Sequence, residues 1–291
     1  IEQQLDHGFM GLSEALLENL SPASLNSMPS KAIAQFNTMK NLSPGSDFKI
    51  TKDLALISRA VGNEKTCCKF SVENEENVYP LSLDSMTQKS LPNTKYEINI
   101  KLSVVDTSIA FSMDALKLYF DGEYEARLSW IYGLLEDLES AFFVCRGKRE
   151  PICIRHSYLN ENDKVHEDIF GTEMLKDFFV FRDKFMFLDL TNLPKIVFSA
   201  KEEIELYFIL KSPLPFSYIK KECLLLGCLP IINTSSYGAE PIHYSGHDYA
   251  FALNIDPKRK KSLCLQKVKE IKAKEENDEV LTYLPFTHYH K

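Results

Sequence analysis

Apolar residues recur at three- and four-residue steps from Ile1 through Leu5, Phe9, Leu12, Leu16 and Leu20, which predicts an amphipathic helix along one stripe. Ser21-Pro22 ends it. From 31 to 90 the pattern changes to short apolar stretches, Lys31–Phe36, Phe48–Ile50 and Tyr79–Leu83, separated by Pro44-Gly45, Gly62-Asn63 and the acidic run Glu73–Glu76. This region reads as mainly β. Between Tyr96 and Val105 the chain alternates, with Ile98, Ile100, Leu102 and Val104 on one face of a strand. Ala115–Phe120 reads as a second strand, closed by Asp121-Gly122.

A helix is expected over Tyr124–Leu138, because Leu128, Ile131, Leu134, Leu135 and Leu138 fall on one side of it. Ala141–Cys145 and Ile152–His156 read as a strand pair connected through Arg146-Gly147-Lys148. Thr172–Phe179 reads as a helix, and Phe185–Leu190, Lys195–Ser199 and Ile204–Leu210 as further strands. Pro213-Leu214-Pro215 interrupts the pattern before Tyr218–Leu226, a short helix candidate. Gly227–Asn233 is an apolar strand with Pro230 inside it, which implies an edge, a bulge or a late strand start. Lys258–Lys261 and Lys267–Glu279 are polar and expected at the surface.

Strands and helices mix without a βαβ rhythm, so the fold class is α+β, β-rich and multi-domain. Three regions are expected: a helix and β-rich part over 1–95, a central α+β domain over 96–215, and a β-rich part over 216–291 that packs back on the first. A helical pattern already runs at Ile1, so the sequence reads as part of a longer chain.

Composition narrows the functional classes. The 291 residues are 44% hydrophobic and 26% charged, a balance typical of a folded chain. A formal charge of −7 argues against a nucleic-acid partner, which calls for a concentrated basic surface. No apolar run reaches the ~20 residues of a membrane span, and the first twenty residues are too acidic for a signal peptide. A cytoplasmic location is expected. The seven cysteines follow no framework and read as reduced, largely buried thiols, Cys228 among them.

The chain offers little for catalysis. Its 11 glycines are scattered, with no phosphate-cradling loop. Ser13 lies in the first helix without the second glycine of a nucleophile elbow. His243, His247, His288 and His290, with Glu240 or Asp248, are the residues on which a metal-dependent hydrolase would have to rest, but Gly246 breaks the local spacing and surface histidines are the simpler reading. Adjacent Cys67-Cys68 lacks a matching pair. Asp183 and Asp189 read as a turn residue and a strand-end residue. Phe178, Phe179, Phe181, Phe185 and Phe187 crowd one segment, either as core or as a partner-binding surface.

Leu226-Gly227-Cys228-Leu229-Pro230-Ile231-Ile232-Asn233 is followed by Ala239-Glu240-Pro241-Ile242 and then Tyr249. In this order the segments resemble the Cys-x-Pro-x-x-Asn strand, the Glu-Pro-Ile turn and the downstream tyrosine of the TssF family of the bacterial type VI secretion baseplate. Glu202–Phe208, Asp177–Phe187, Leu116–Gly122 and Ile131–Leu135 also match, as do Glu14–Leu17, Met28–Ser30 and Cys68–Phe70. Two positions depart from the pattern: Thr234-Ser235 stands where Leu-Phe is common, and His243 and His247 where arginines are common.

The resemblance implies a non-enzymatic wedge protein without a cofactor, working through interfaces. Implied partners are TssG-like and TssK-like baseplate proteins, spike and sheath components, and another copy of itself within a wedge. The implied location is the cytoplasmic face of the inner membrane. Gly227, Cys228, Pro230, Asn233, Glu240, Pro241, Ile242, Tyr249, Phe179 and Phe185 are the candidate junction or interface residues.

Overall fold

The computed structural model describes residues 16, 28–36, 48–62, 65–105, 110–159, 167–243, 251, 253–255, 263–274 and 280–284. Apart from Leu16, which is helical, the expected N-terminal helix lies outside these residues.

The early strands are β1 (Lys31–Gln35), β2 (Lys49–Ile50), β3 (Leu56–Val61), β4 (Thr66–Val72), β5 (Glu76–Asn77), β6 (Leu81–Leu91) and β7 (Lys95–Val104). Next come β8 (Phe111–Ser112), β9 (Leu116–Phe120), helix α1 (Tyr124–Leu135), β10 (Leu138–Cys145), β11 (Lys148–Pro151) and β12 (Cys153–His156). Helix α2 (Glu167–Val180) precedes β13 (Phe187–Thr191), β14 (Val197–Phe198), β15 (Glu203–Leu210), β16 (Leu224–Leu226) and β17 (Cys228–Ile232). The last two strands are β18 (Ile271–Lys274) and β19 (Val280–Tyr283). The result is a β-rich α+β fold, as the patterning implies.

Three larger sheets carry it, in the orders β11-β10-β15-β7-β6, β12-β13-β9-β16 and β1-β17-β4-β3. In the five-stranded sheet the expected alternation is realised: Ile98, Ile100 and Leu102 face Phe208, Leu206 and Ile204 across the β7–β15 ladder. All six are fully buried. These residues share one core with Leu116, Leu118 and Phe120 of β9 and Leu188 and Leu190 of β13, so the five- and four-stranded sheets bury their inner faces together. Each such side chain contributes about 1.5–3 kcal/mol by leaving water.

Helix α1 forms where the sequence predicts it but ends at Leu135, with Leu138 opening β10, and its buried face is rotated so that it keeps Leu134 of the expected side and not Leu128 or Leu135. Ala126, Trp130, Gly133 and Leu134 are buried, whereas Leu128 and Leu135 are exposed. Small residues decide this. A Cβ on Gly133 would sit 3.1 Å from Leu214 Cδ2, so glycine lets the helix close on the core. Trp130 stacks on Phe120 at 5.4 Å and donates its indole N–H to the Tyr218 carbonyl at 2.9 Å.

The expected pairing of Ala141–Cys145 with Ile152–His156 is also corrected. Arg146 (φ 50°) and Gly147 (φ 74°) form a two-residue turn of left-handed backbone, which sets Cys145 opposite Lys148 and gives the β10 edge to β11. Pro151 closes that strand, Ile152 turns into the core, and β12 crosses to pair with β13 in the other sheet. Tyr218–Leu226 is likewise not an α-helix. Two short 3-10 turns, Phe216–Tyr218 and Lys221–Cys223, lead into β16, where Leu224 pairs with Phe120. A ladder already available on β9 outweighs the local helical spacing.

By contacts the chain forms two compact units, one of Lys31–Ile57 and Lys69–Asn233, the other of Ile1–Ser30, Ser58–Cys68 and Thr234–Lys291. The three large-sheet cores belong to the former. Among the described residues no helix is long and apolar enough to cross a membrane.

Candidate functional site

Gly227 is the point at which the chain leaves the β9 sheet, through β16, and enters the β1 sheet, through β17. Its φ is +68°, and a Cβ there would lie 2.7 Å from the Phe36 carbonyl oxygen and 3.2 Å from Val78 Cγ1. Only glycine satisfies both demands. Phe36 N–H donates to the Gly227 carbonyl at 2.8 Å, which makes this pair hydrogen-bonded and extends the β1–β17 register by one step.

That register explains Pro230. It lies opposite Ile33 at a non-hydrogen-bonded position, so its missing N–H is not asked for by β1. On the other side its carbonyl accepts from Glu73 N–H at 3.1 Å, and pairing with β4 begins at Ile231 and Ile232. The strand therefore carries an interior proline at the cost of one ladder bond.

Along β17 the side chains divide between two cores. Leu229 and Ile231 pack with Val72 and Val78 under the β1 sheet. Cys228 points the other way, with Tyr119, Met186 and Phe187 on the outer face of the β9 sheet. Burial there pushes the Cys228 thiol up to about 12, so it is inert packing. Of the seven cysteines only Cys145 and Cys228 are buried; Cys67, Cys153 and Cys264 are exposed, contrary to the expected burial, because they occupy outward positions of exposed strands or loops.

The later candidates are placed differently. Asn233 is half-buried at the end of β17, and Glu240, Pro241 and Ile242 are exposed. Glu240 donates its backbone N–H to the Asn254 carbonyl at 2.8 Å. Tyr249, His247, His288 and His290 lie outside the described residues. Among the described residues no group of three His, Cys, Asp or Glu side chains is arranged to hold a metal.

The phenylalanine-rich segment is split. Phe181 and Phe187 are buried, Phe185 stacks on Tyr158 at 4.6 Å, and Phe178 and Phe179 are exposed. Asp183 and Asp189 do not act as a pair. Asp183 binds Arg127 at 2.5 Å, while Asp189 sits in the middle of β13, not at a strand end, and accepts from Ser157 Oγ at 2.6 Å. Burial raises the Asp189 carboxyl above its ordinary range. Burial lowers the pKa of neighbouring His156; its Nε2 lies 2.9 Å from the Phe185 carbonyl oxygen and its Nδ1 accepts from Tyr158 N–H at 3.3 Å, so both ring nitrogens are engaged.

A buried ionic ring escapes sequence reading. Lys31 binds Glu73 at 2.9 Å and Asp177 at 2.5 Å, and Lys184 binds Glu73 at 2.8 Å and Asp177 at 2.7 Å. Tyr158 adds a hydroxyl to Asp177 Oδ2 at 3.1 Å. Burial opposes the Asp177 charge, but hydrogen bonds from Lys184 and Lys31 outweigh it and hold the carboxyl below its ordinary range. The ring ties the last turn of α2 to β1 and to the end of β4. A shallow depression of about 340 Å³ beside Cys145 is no more reactive: Arg146 and Glu202 engage each other at 2.6 Å across it, and burial raises the thiol.

The geometry is that of an interlocked scaffold. A family model for type VI secretion system TssF matches residues 1–291, the whole sequence. The chain belongs to the TssF family. A chain in the cryo-electron microscopy structure of the type VI secretion system TssK-TssF-TssG baseplate subcomplex shares its fold, with a TM-score of 0.82 at 21% identity over 99% of this sequence. The present chain spans 56% of that chain. No curated protein matches. Cys228 and Pro230 alternate along β17 with Leu229 and Ile231, so the first two face away from the core that the last two fill.

Proposed function

We propose that this TssF-family chain is a structural subunit of the type VI secretion baseplate, forming wedges that join the spike to the contractile sheath. The observation that carries the reading is the family match along the full sequence. The shared fold with a chain of the TssK-TssF-TssG subcomplex supports it.

TssG-like and TssK-like proteins are the proposed direct partners, with spike, sheath and a second copy of the chain as further neighbours in the wedge. Assembly takes place in the cytoplasm, at the inner membrane. The mechanism is mechanical: two sheets sharing one core, a crossover locked at Gly227 and a buried ionic ring give a body that transmits load without rearranging. Cys228 and Pro230 serve the crossover. Asn233, Glu240, Pro241, Ile242 and Tyr249 follow it toward a partner-facing segment, and Phe179 and Phe185 mark a second one.

Sheath imaging in cells tests this. A strain lacking the protein should form no extended sheaths, and the restored gene should return them; normal sheaths in the deletion strain would contradict the reading.

A further inference from the structure

Helix α1 is apolar on two opposite sides. One side is the buried face of Ala126, Trp130, Gly133 and Leu134. On the other, Tyr124, Leu128, Tyr132 and Leu135 are exposed by 38%, 40%, 60% and 38%. Their steps of four, four and three align them as a stripe about 16 Å long. The buried side already anchors the helix to the core, so this second, outward stripe is a surface made to be covered.

The stripe continues past the helix. The Arg182 guanidinium lies 6.0 Å from the Tyr124 ring and 5.6 Å from that of Phe178, and beyond it Phe178 and Phe179 are exposed. Charge defines its edge. Glu125 and Glu136 flank Tyr132 on one side, with Asp121 and Glu123 at the helix start; all four are exposed, and none makes an ion pair among the described residues. The helix's only base, Arg127, is committed to Asp183 at 2.5 Å. The surface is therefore apolar with an unneutralised acidic edge.

We propose that this face of α1 receives an amphipathic α-helix from a different protein chain, its apolar stripe on Tyr124, Leu128, Tyr132 and Leu135 and its Lys/Arg edge against Glu125 and Glu136. A second copy fits worse: packed antiparallel through the same stripe it sets acidic edge against acidic edge, and packed parallel it offers the acidic edge only Arg127, which is already paired with Asp183. Anionic lipid is repelled by the same carboxylates. The surface is independent of the baseplate reading.

Two synthetic helical peptides sharing one leucine stripe, one with a Lys/Arg edge and one with a Glu edge, test it on the purified full chain by fluorescence anisotropy. The basic-edged peptide should bind at least about tenfold tighter than the acidic one, and more weakly as salt rises. Leu128→Asp should abolish that binding, while Glu125→Lys with Glu136→Lys should reverse the preference; these positions are exposed, and circular dichroism verifies folding. Equal binding of both peptides, binding of neither, an unchanged preference in the charge-reversed protein, or a homodimer in sedimentation that Leu128→Asp dissociates would each overturn the proposal.

Discussion

Phe36 and Gly227 hold each other in place from both sides: the Phe36 N–H donates to the Gly227 carbonyl at 2.8 Å, and the Phe36 carbonyl oxygen occupies the space where a Cβ on residue 227 would have to go. Gly227→Ala therefore combines left-handed backbone strain with a backbone clash. A loss of about 2–4 kcal/mol is expected in urea unfolding, whereas Gly147→Ala, also left-handed but in open space, should lose only about 1 kcal/mol.

The ionic ring makes a second prediction. Asp177→Ala leaves Lys31 and Lys184 sharing Glu73 alone in a mostly buried site, so stability should fall by about 3–5 kcal/mol. The contribution of Asp177 is depressed-acid linkage: it is complete above the ordinary value of 3.8 and lost as pH falls through the lower folded value. Denaturant melts at pH 6 and at pH 3 for the parent and the variant measure both effects.

His156 acts at milder pH. Burial lowers its pKa from the ordinary 6.5, so the unfolded chain takes up a proton that the folded chain refuses, and stability decreases as pH falls below 6.5. His156→Gln should reduce the difference in Tm between pH 7.5 and pH 5.5. An undiminished difference would assign the acid sensitivity elsewhere.

Thiol labelling separates the cysteines. Cys67, Cys153 and Cys264 should react rapidly with iodoacetamide at pH 8 in the native protein, and Cys228, raised to about 12 and buried, only on unfolding. Cys228→Ala should cost about 1–2 kcal/mol by leaving a small void among Tyr119, Met186 and Phe187, with assembly retained.

Alternating strands are legible because they are two-sided in sequence as in space: the fully buried Ile98, Ile100 and Leu102 of β7 and Ile204, Leu206, Phe208 and Leu210 of β15 stand at every second position. Helix α1 was legible as a helix but not in its orientation. Leu128 and Leu135 point outward while Leu134 is buried, and Ala126 and Gly133, which periodicity does not weigh, determine the close approach. The departure of β12 to another sheet follows from a two-residue turn that consumes the β10 edge, a competition invisible to strand propensity. Within the candidate site, Gly227 and Pro230 were recognisable as special, yet the reason for each lies in Phe36, Ile33 and Glu73, far away in sequence. The ionic ring was beyond reach for the same reason, since Lys31 and Asp177 are 146 positions apart.

Co-expression of the full-length protein with TssG-like and TssK-like proteins from the same cell, followed by size-exclusion chromatography with multi-angle light scattering, shows whether the chain is an assembly subunit. A single peak that contains all three chains is expected, and Gly227→Ala should reduce it in proportion to lost fold. A folded chain that elutes alone in the presence of both proteins would contradict that role.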